Sequence, residues 1–517
     1  MIKALAVGVI AAAPFLFGRR SAVNHFYRLI ILLSAGCSAF GQGTDTSRFV
    51  PTWVQDAVFY QIFPERFANG DTLNDPPGTE PWGGTPRGNN YFGGDLKGII
   101  DHLDYLHDLG INAIYLNPIF ESSTNHKYQT KDYYKIDPHF GDEKMFSRLL
   151  QECHSRGIRV VIDGVFNHTG VDFFAFADVR KNGKDSKYAT WFNIYSYPVG
   201  PPNKPNYEGW WGLGSLPKLM ADTPEVRKYL FGVAEFWTRK GIDGWRLDVP
   251  NEMSHDFWIS WRNLVKGINP EAYICGEIWD DASPWLKGDQ FDAVMNYRFR
   301  GACVGFFALE NQNAVQFDSI LQVQRSEYPP QVDYALQNLI GSHDTERFLT
   351  LSGGDERRVR LAALMQMTYP GAPMIYYGDE IGMEGGRDPD CRKTMIWDST
   401  KWNRELRSWY RKLIALRMKL PALRRGSFLT LAADSATGFY SFMRADERDT
   451  ICVAINNGTS LIDRDIVMGT GTGPARELVA GVQLQRDHGI LKHLKLPPMS
   501  GAIIQALYGR NNQEVKQ

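Results

Sequence analysis

Between Val58 and Tyr377 the chain alternates short β-rich runs with amphipathic helical stretches, and nothing else constrains its fold so strongly. The candidate strands are Val58–Phe63, Ala113–Leu116, Arg159–Ile162, Gly244–Leu247, Tyr273–Cys275, Ala293–Tyr297, Leu336–Ile340 and Met374–Tyr377. Helical periodicity appears at Leu96–Leu109, Glu143–Ser155, Pro224–Lys240, Asp256–Lys266, Arg357–Met367 and Arg404–Leu416. Eight strands with intervening helices is the arithmetic of an α/β fold, a parallel (β/α)8 TIM barrel. Residues 169–221, rich in Pro, Gly, Asn and aromatics, are too long for a plain βα loop. They predict an inserted subdomain B after the third strand. Past Leu420 the pattern turns to alternation with turns, as in Gly438–Arg444 and Thr450–Asn456. That predicts a C-terminal antiparallel β-sandwich domain over 420–508, then a polar tail over 509–517. The barrel is accordingly assigned to 51–168 and 222–419.

The first forty residues differ from the rest. Ile2 to Phe17 is nearly all apolar and stops at Arg19-Arg20; a second run, Leu29–Ala35, leads into small residues from Gly36 to Ala39. Neither reaches the roughly 18 residues of a spanning helix. Residues 1–40 read as an export signal with cleavage near Gly36 to Ala39, which places the protein in the periplasm or the extracellular space. Cys37, behind Ser-Ala-Gly, adds a second reading, a lipid anchor at the membrane. The other five cysteines are odd in number and scattered, which predicts buried free thiols. Lys plus Arg total 57 against 58 Asp plus Glu, so no basic excess exists to face a nucleic acid.

In such a barrel, chemistry belongs at the C-terminal strand ends. The third strand delivers Asp163-Gly-Val-Phe-Asn167-His168, the fourth Gly244-Trp-Arg246-Leu-Asp248, the fifth Gly276-Glu277-Ile-Trp279 and the seventh Ser342-His343-Asp344. Three acids, Asp248, Glu277 and Asp344, therefore converge from different strands. Arg246 and Asp248, two apart, point to the same side. A lone acid at a strand end is more often a cap than a catalyst, but several in one barrel suit glycosidic cleavage by paired carboxyls. In this reading Arg246 keeps Asp248 ionised, while a less compensated Glu277 holds its proton near neutral pH.

These blocks resemble four motifs of the α-amylase family (glycoside hydrolase family 13), in the family's order, over about Pro51 to Tyr508. The resemblance implies a retaining double displacement: Asp248 as nucleophile, Glu277 as general acid/base and Asp344 as transition-state stabiliser. By the same likeness Arg246, His168 and His343 hold the reacting sugar, with Tyr128 stacked beneath it. Within the family, Asn117–Glu121, Asn125–Tyr128, Ile136–Gly141, Ser342–Arg347 and Tyr376–Ile381 resemble the neopullulanase, cyclomaltodextrinase and maltogenic amylase group. Leu216–Met220 departs from the group's Met-Pro-Lys-Leu-Asn at its first and last residues. Trp279 resembles the group's acceptor-side aromatic, and Asp388 and Arg392 its contacts to the non-reducing end; a loop salt bridge is the alternative for the latter two. Members of that group usually carry an extra β domain before the barrel, through which they dimerise and cover the active site; that domain is expected to be absent here, so the group's dimer does not carry over by resemblance. The oligomeric state stays open.

Asn69, Asp71, Asn74 and Asp75 follow the first strand, and Gly93 and Asp95 lie nearby. Oxygen ligands at short irregular spacing suit Ca2+, although Asn, Asp and Gly also populate turns. The likeness to the group's calcium loop favours a structural ion. The expected activity is cleavage of α-1,4 bonds in an α-glucan: maltooligosaccharide, cyclodextrin, pullulan or starch. A glucanotransferase and an α-1,6-glucosidase share these residues and stand as alternatives. A non-catalytic glucan-binding protein would not need the three acids together.

Overall fold

The computed structural model describes residues 49–470 and 472–507. The export segment 1–40, Cys37 and the tail 509–517 lie outside the described residues. Eight parallel strands form the barrel: β1 (Phe59–Ile62), β2 (Ala113–Leu116), β3 (Arg159–Gly164), β4 (Gly244–Leu247), β5 (Tyr273–Gly276), β6 (Ala293–Val294), β7 (Gln337–Leu339) and β8 (Ala372–Tyr376). Their order is β6-β5-β4-β3-β2-β1-β8-β7, and a parallel bridge between Met295 and Gln337 closes the ring. Nearly every strand residue is buried, as parallel strands covered on both faces must be.

Helices start where side chains satisfy their free N–H groups. Asp142 accepts from Met145 N at the head of Glu143–Ser155, and Ser254 from Phe257 N at the head of His255–Ile268. Two expectations need correction. The stretch Leu96–Leu109 is two helices, Leu96–Asp101 and Leu103–Leu109, broken at His102, whose Nδ1 bonds Gly98 O at 2.8 Å. The sixth strand stops at Val294, because the Asn296 side chain accepts from Phe299 N and starts the helix Tyr297–Cys303. Tyr297 therefore opens a helix and does not end a strand.

Residues 169–221 carry little regular structure beyond the helix Phe174–Asn182. They are held by bridges such as His168–Lys218 and Ile194–Tyr207 and by ring contacts of Phe176 with Phe192 and Tyr207. A hairpin of Phe120–Ser122 and Thr130–Ile136 presents the loop bearing Tyr128. Eight antiparallel strands from Ser427–Ala433 to Ser500–Ala506 make the C-terminal unit around its own small apolar core. Buried Arg444 joins it to the barrel by donating to the Thr368 carbonyl at the C-terminal end of the helix Glu356–Thr368, where Arg417 of the barrel's own last helix donates to the Met367 carbonyl. Cations suit that helix end. The described cysteines, 153, 275, 303, 391 and 452, are all buried free thiols. Among the described residues no helix is long and apolar enough to cross a membrane.

Candidate active site

The C-terminal strand ends bring the sequence-derived acids around one guanidinium. Arg246, fully buried on β4, donates from Nη1 to both Asp163 oxygens and to Asp248 Oδ1, each at 2.9 Å. Its Nη2 stands 2.7 Å from Glu277 Oε2. One cation thus faces three carboxylates. The expectation that Arg246 serves Asp248 and leaves Glu277 less compensated is corrected: it serves both. Burial pushes the Asp248 and Glu277 carboxyls above their usual range, with Arg246 opposing, and the like charges around them add to the rise. Two carboxyls this close titrate as a pair.

Asp344 stands at the open mouth with a cation of its own. Arg392 Nη2 donates to its Oδ1 at 2.9 Å, and His343 Nε2 lies 3.1 Å from its Oδ2. Arg392 also pairs with Asp388 at 3.2 Å and donates from Nε to the His343 carbonyl at 2.8 Å. The Asp388–Arg392 salt bridge exists, then, but it also reaches the site. Burial lowers His168 and His343 to about 3, so both rings are neutral near pH 7. Gln61 Nε2 meets His343 Nδ1 at 2.8 Å, which leaves the proton on Nε2, aimed at Asp344 and the Tyr128 hydroxyl. His168 Nε2 is 3.9 Å from Asp248 Oδ2 and stacks on Trp210. Tyr128 lies parallel to the His343 ring and donates to Asp163 Oδ2 at 3.1 Å. Trp279 donates from Nε1 to Glu277 Oε1 at 3.2 Å and leaves 45% of its surface exposed.

Backbone strain marks the same place. Val249, directly after Asp248, has φ 37°, a left-handed conformation that a β-branched residue adopts at a cost. The turn aims its N–H at Glu277 Oε2, 3.4 Å away.

Several contributors went unassigned in the sequence. Asp163 belongs to a quoted motif, yet its part as the third carboxylate on Arg246 emerges only in three dimensions. Tyr115, which donates to Asp163 at 2.6 Å, and Gln61 sit inside apolar strands and carry no separate signal. Tyr297 reads as a strand residue in the sequence and stands instead at the head of a helix.

The loop after β1 also gathers its predicted residues. Asn69 Nδ2 donates to Asp75 at 2.9 and 3.1 Å, and Gly93 packs so closely that a Cβ there would lie 2.1 Å from Asp75 Oδ1. Asp95 accepts from Gly70 N, Asp71 N, Gly98 N and Asn74 Nδ2, clasping the loop and capping a helix. The carbonyl oxygens of Asn69 and Asn74 are buried with no donor. Among the described residues no group of three or more His, Cys, Asp or Glu is poised for a metal.

Residues 61–412 match the family described as alpha amylase, catalytic domain. The chain is 53% identical over 459 residues to a cyclomaltodextrinase of Thermoanaerobacter pseudethanolicus, covering 88% of this chain and 79% of that one. It is 50% identical over 461 residues to neopullulanase 2 of Thermoactinomyces vulgaris, covering 88% and 78%. Its fold superposes on cyclic α-maltosyl-(1→6)-maltose hydrolase from Arthrobacter globiformis with TM-score 0.81 at 41% identity, over 88% of this chain and 99% of that one. With the barrel, the strand-end acids and these relatives in agreement, the chain belongs to the α-amylase family and is a glycoside hydrolase.

Proposed function

We propose that the enzyme cleaves α-1,4-glucosidic bonds of cyclodextrins, pullulan, maltooligosaccharides and soluble starch with retention at the anomeric carbon. The observation that carries this reading is the single guanidinium spanning Asp248 and Glu277. It suits the short carboxyl separation of about 5–5.5 Å used in double displacement, rather than the wider gap that admits a water. Glu277 gives its proton to the glycosidic oxygen while an Asp248 oxygen bonds to the anomeric carbon and the leaving sugar departs. Water then attacks that carbon, its proton passes to Glu277, and the bond to Asp248 breaks. Asp344, ionised beside Arg392, and the neutral His168 and His343 are placed to hold hydroxyls of the reacting sugar. The relatives named cyclomaltodextrinase and neopullulanase support the substrate class.

The test supplies β-cyclodextrin, pullulan and starch separately and follows products by chromatography and anomer-resolved NMR. Maltose and glucose from cyclodextrin, panose from pullulan and α-anomers formed first are expected. First-formed β-anomers would defeat the double displacement, and starch breakdown with cyclodextrin untouched would defeat the substrate reading. Products longer than the substrate would make a sugar the preferred acceptor.

The loop of Asn69, Asp71, Asn74, Asp75, Gly93 and Asp95 fits a structural Ca2+. Buried acceptors without donors are uncommon, and the orphan side-chain oxygens of Asn69, whose amide meets the Asp75 carboxylate, and of Asn74, whose amide meets Asp95, offer what this ion takes. Bound there, the ion would hold the loop; no proton or glycosyl step passes through it. Chelation is expected to lower Tm by several degrees, since an ion at about 100 times its Kd stabilises by about 2.7 kcal/mol. Added calcium restores the loss, Asp75→Ala no longer responds, and turnover well below Tm is unchanged. Equal Tm in chelator and calcium counts against the site.

A further inference from the structure

Trp279 is half exposed, so its indole would be free to turn without a support. Tyr297 supplies one. The two rings stack with centroids 3.7 Å apart and planes 6° from parallel. Tyr297 itself is buried and rigidly mounted: it opens the helix capped by Asn296, whose Nδ2 donates to Asn338 Oδ1 at 2.8 Å. Its hydroxyl lies 3.3 Å from Ser342 Oγ, two residues before Asp344. One face of the Trp279 ring is therefore covered and its plane fixed, which sends Nε1–H to Glu277 Oε1.

The geometry points to Tyr297 as a positioning residue that, by clamping Trp279, keeps an indole N–H on Glu277 and so sets how tightly the acid/base holds its proton. This rests on Glu277 having the role proposed above. An indole nitrogen only donates, so the bond favours the ionised carboxylate. That form is the base which takes the proton from the acceptor in the second half-reaction. Without the clamp the indole turns away and the proton is held to higher pH. The other groups facing Glu277 are Arg246 and Asp248 from β4, Asp163 from β3, Asp344 after β7 and the Tyr297 hydroxyl.

The experiment compares pH profiles of kcat/KM on maltotriose for the wild type, Tyr297→Phe, Tyr297→Leu and Trp279→Phe. Tyr297→Leu removes the stack, and the alkaline limb is expected to move up by about one to two pH units, as loss of one hydrogen bond to a charged group implies. Tyr297→Phe keeps the stack and should leave the limb in place, which separates the clamp from the hydroxyl. Trp279→Phe keeps a ring without an N–H and should show the same upward shift, carrying the test if Tyr297→Leu does not fold. Lower activity with an unmoved limb in either Tyr297→Leu or Trp279→Phe would overturn the proposal, as would an equal shift in Tyr297→Phe. A Glu277→Gln enzyme that retains the alkaline limb would overturn the acid/base role of Glu277 instead.

Discussion

Glu277→Gln is expected to lower kcat on maltotriose by roughly 10²–10⁴-fold, the usual worth of a positioned acid/base. Binding should persist, because the amide keeps the shape of a side chain that faces Arg246 and the Trp279 indole. The leaving group decides how far the loss extends. Fluoride departs without a proton, so α-maltosyl fluoride should still form the glycosyl-enzyme on Asp248, which then accumulates for want of a base. Azide needs no base, and with Glu277→Ala it should release that intermediate as the α-azide. An Asp248→Gly enzyme with azide and β-maltosyl fluoride should give the inverted α-azide from a different first step, and no glycosyl-enzyme should be trapped. Wild-type-like turnover by Glu277→Gln on unactivated glucan would show that another group donates the proton.

Arg246→Met should cost about 3–5 kcal/mol of stability near pH 7.5, as when one partner is removed from a buried ion pair. The variant leaves Asp163, Asp248 and Glu277 facing one another without their cation. The pH dependence separates this from lost packing. In the wild type burial already raises the folded-state pKa of each of the three acids. Without the guanidinium these values rise further above those of the unfolded chain. The folded variant then binds more protons than the unfolded one, so its stability falls as pH rises through the folded values and recovers as pH drops. Thermal melts of the two proteins between pH 5 and 8 should show a gap that narrows toward acid. A gap of constant size would make it a loss of packing alone.

Legibility followed the range over which each signal acts. The eight strands could be placed because a buried parallel strand must be a short apolar run, whatever lies beside it. The acids could be found because polar groups at the ends of such runs are conspicuous. The end of the sixth strand was misread because Ala293 to Tyr297 is apolar enough for either state, and the cap at Asn296 decided it. The periodicity of Leu96–Leu109 reads as continuous, but the backbone leaves helical geometry at His102, whose side chain bonds Gly98 O.

The amino-acid order alone determined the barrel, the inserted segment, the antiparallel C-terminal strands and the convergence of Asp248, Glu277 and Asp344 at one barrel end. Each follows from local periodicity and from the rule that neighbouring parallel strands point the same way. Only the tertiary structure decided how charge is shared there: Arg246 among three carboxylates, Arg392 on Asp344, and Tyr297 beneath Trp279. Apart from Asp248, two residues beyond Arg246, these partners come from different strands and loops, with Asp163 83 residues from Arg246 and Arg392 48 from Asp344. Electrostatic and stacking energies depend on separations of a few ångströms across the barrel, and residue order does not state those separations.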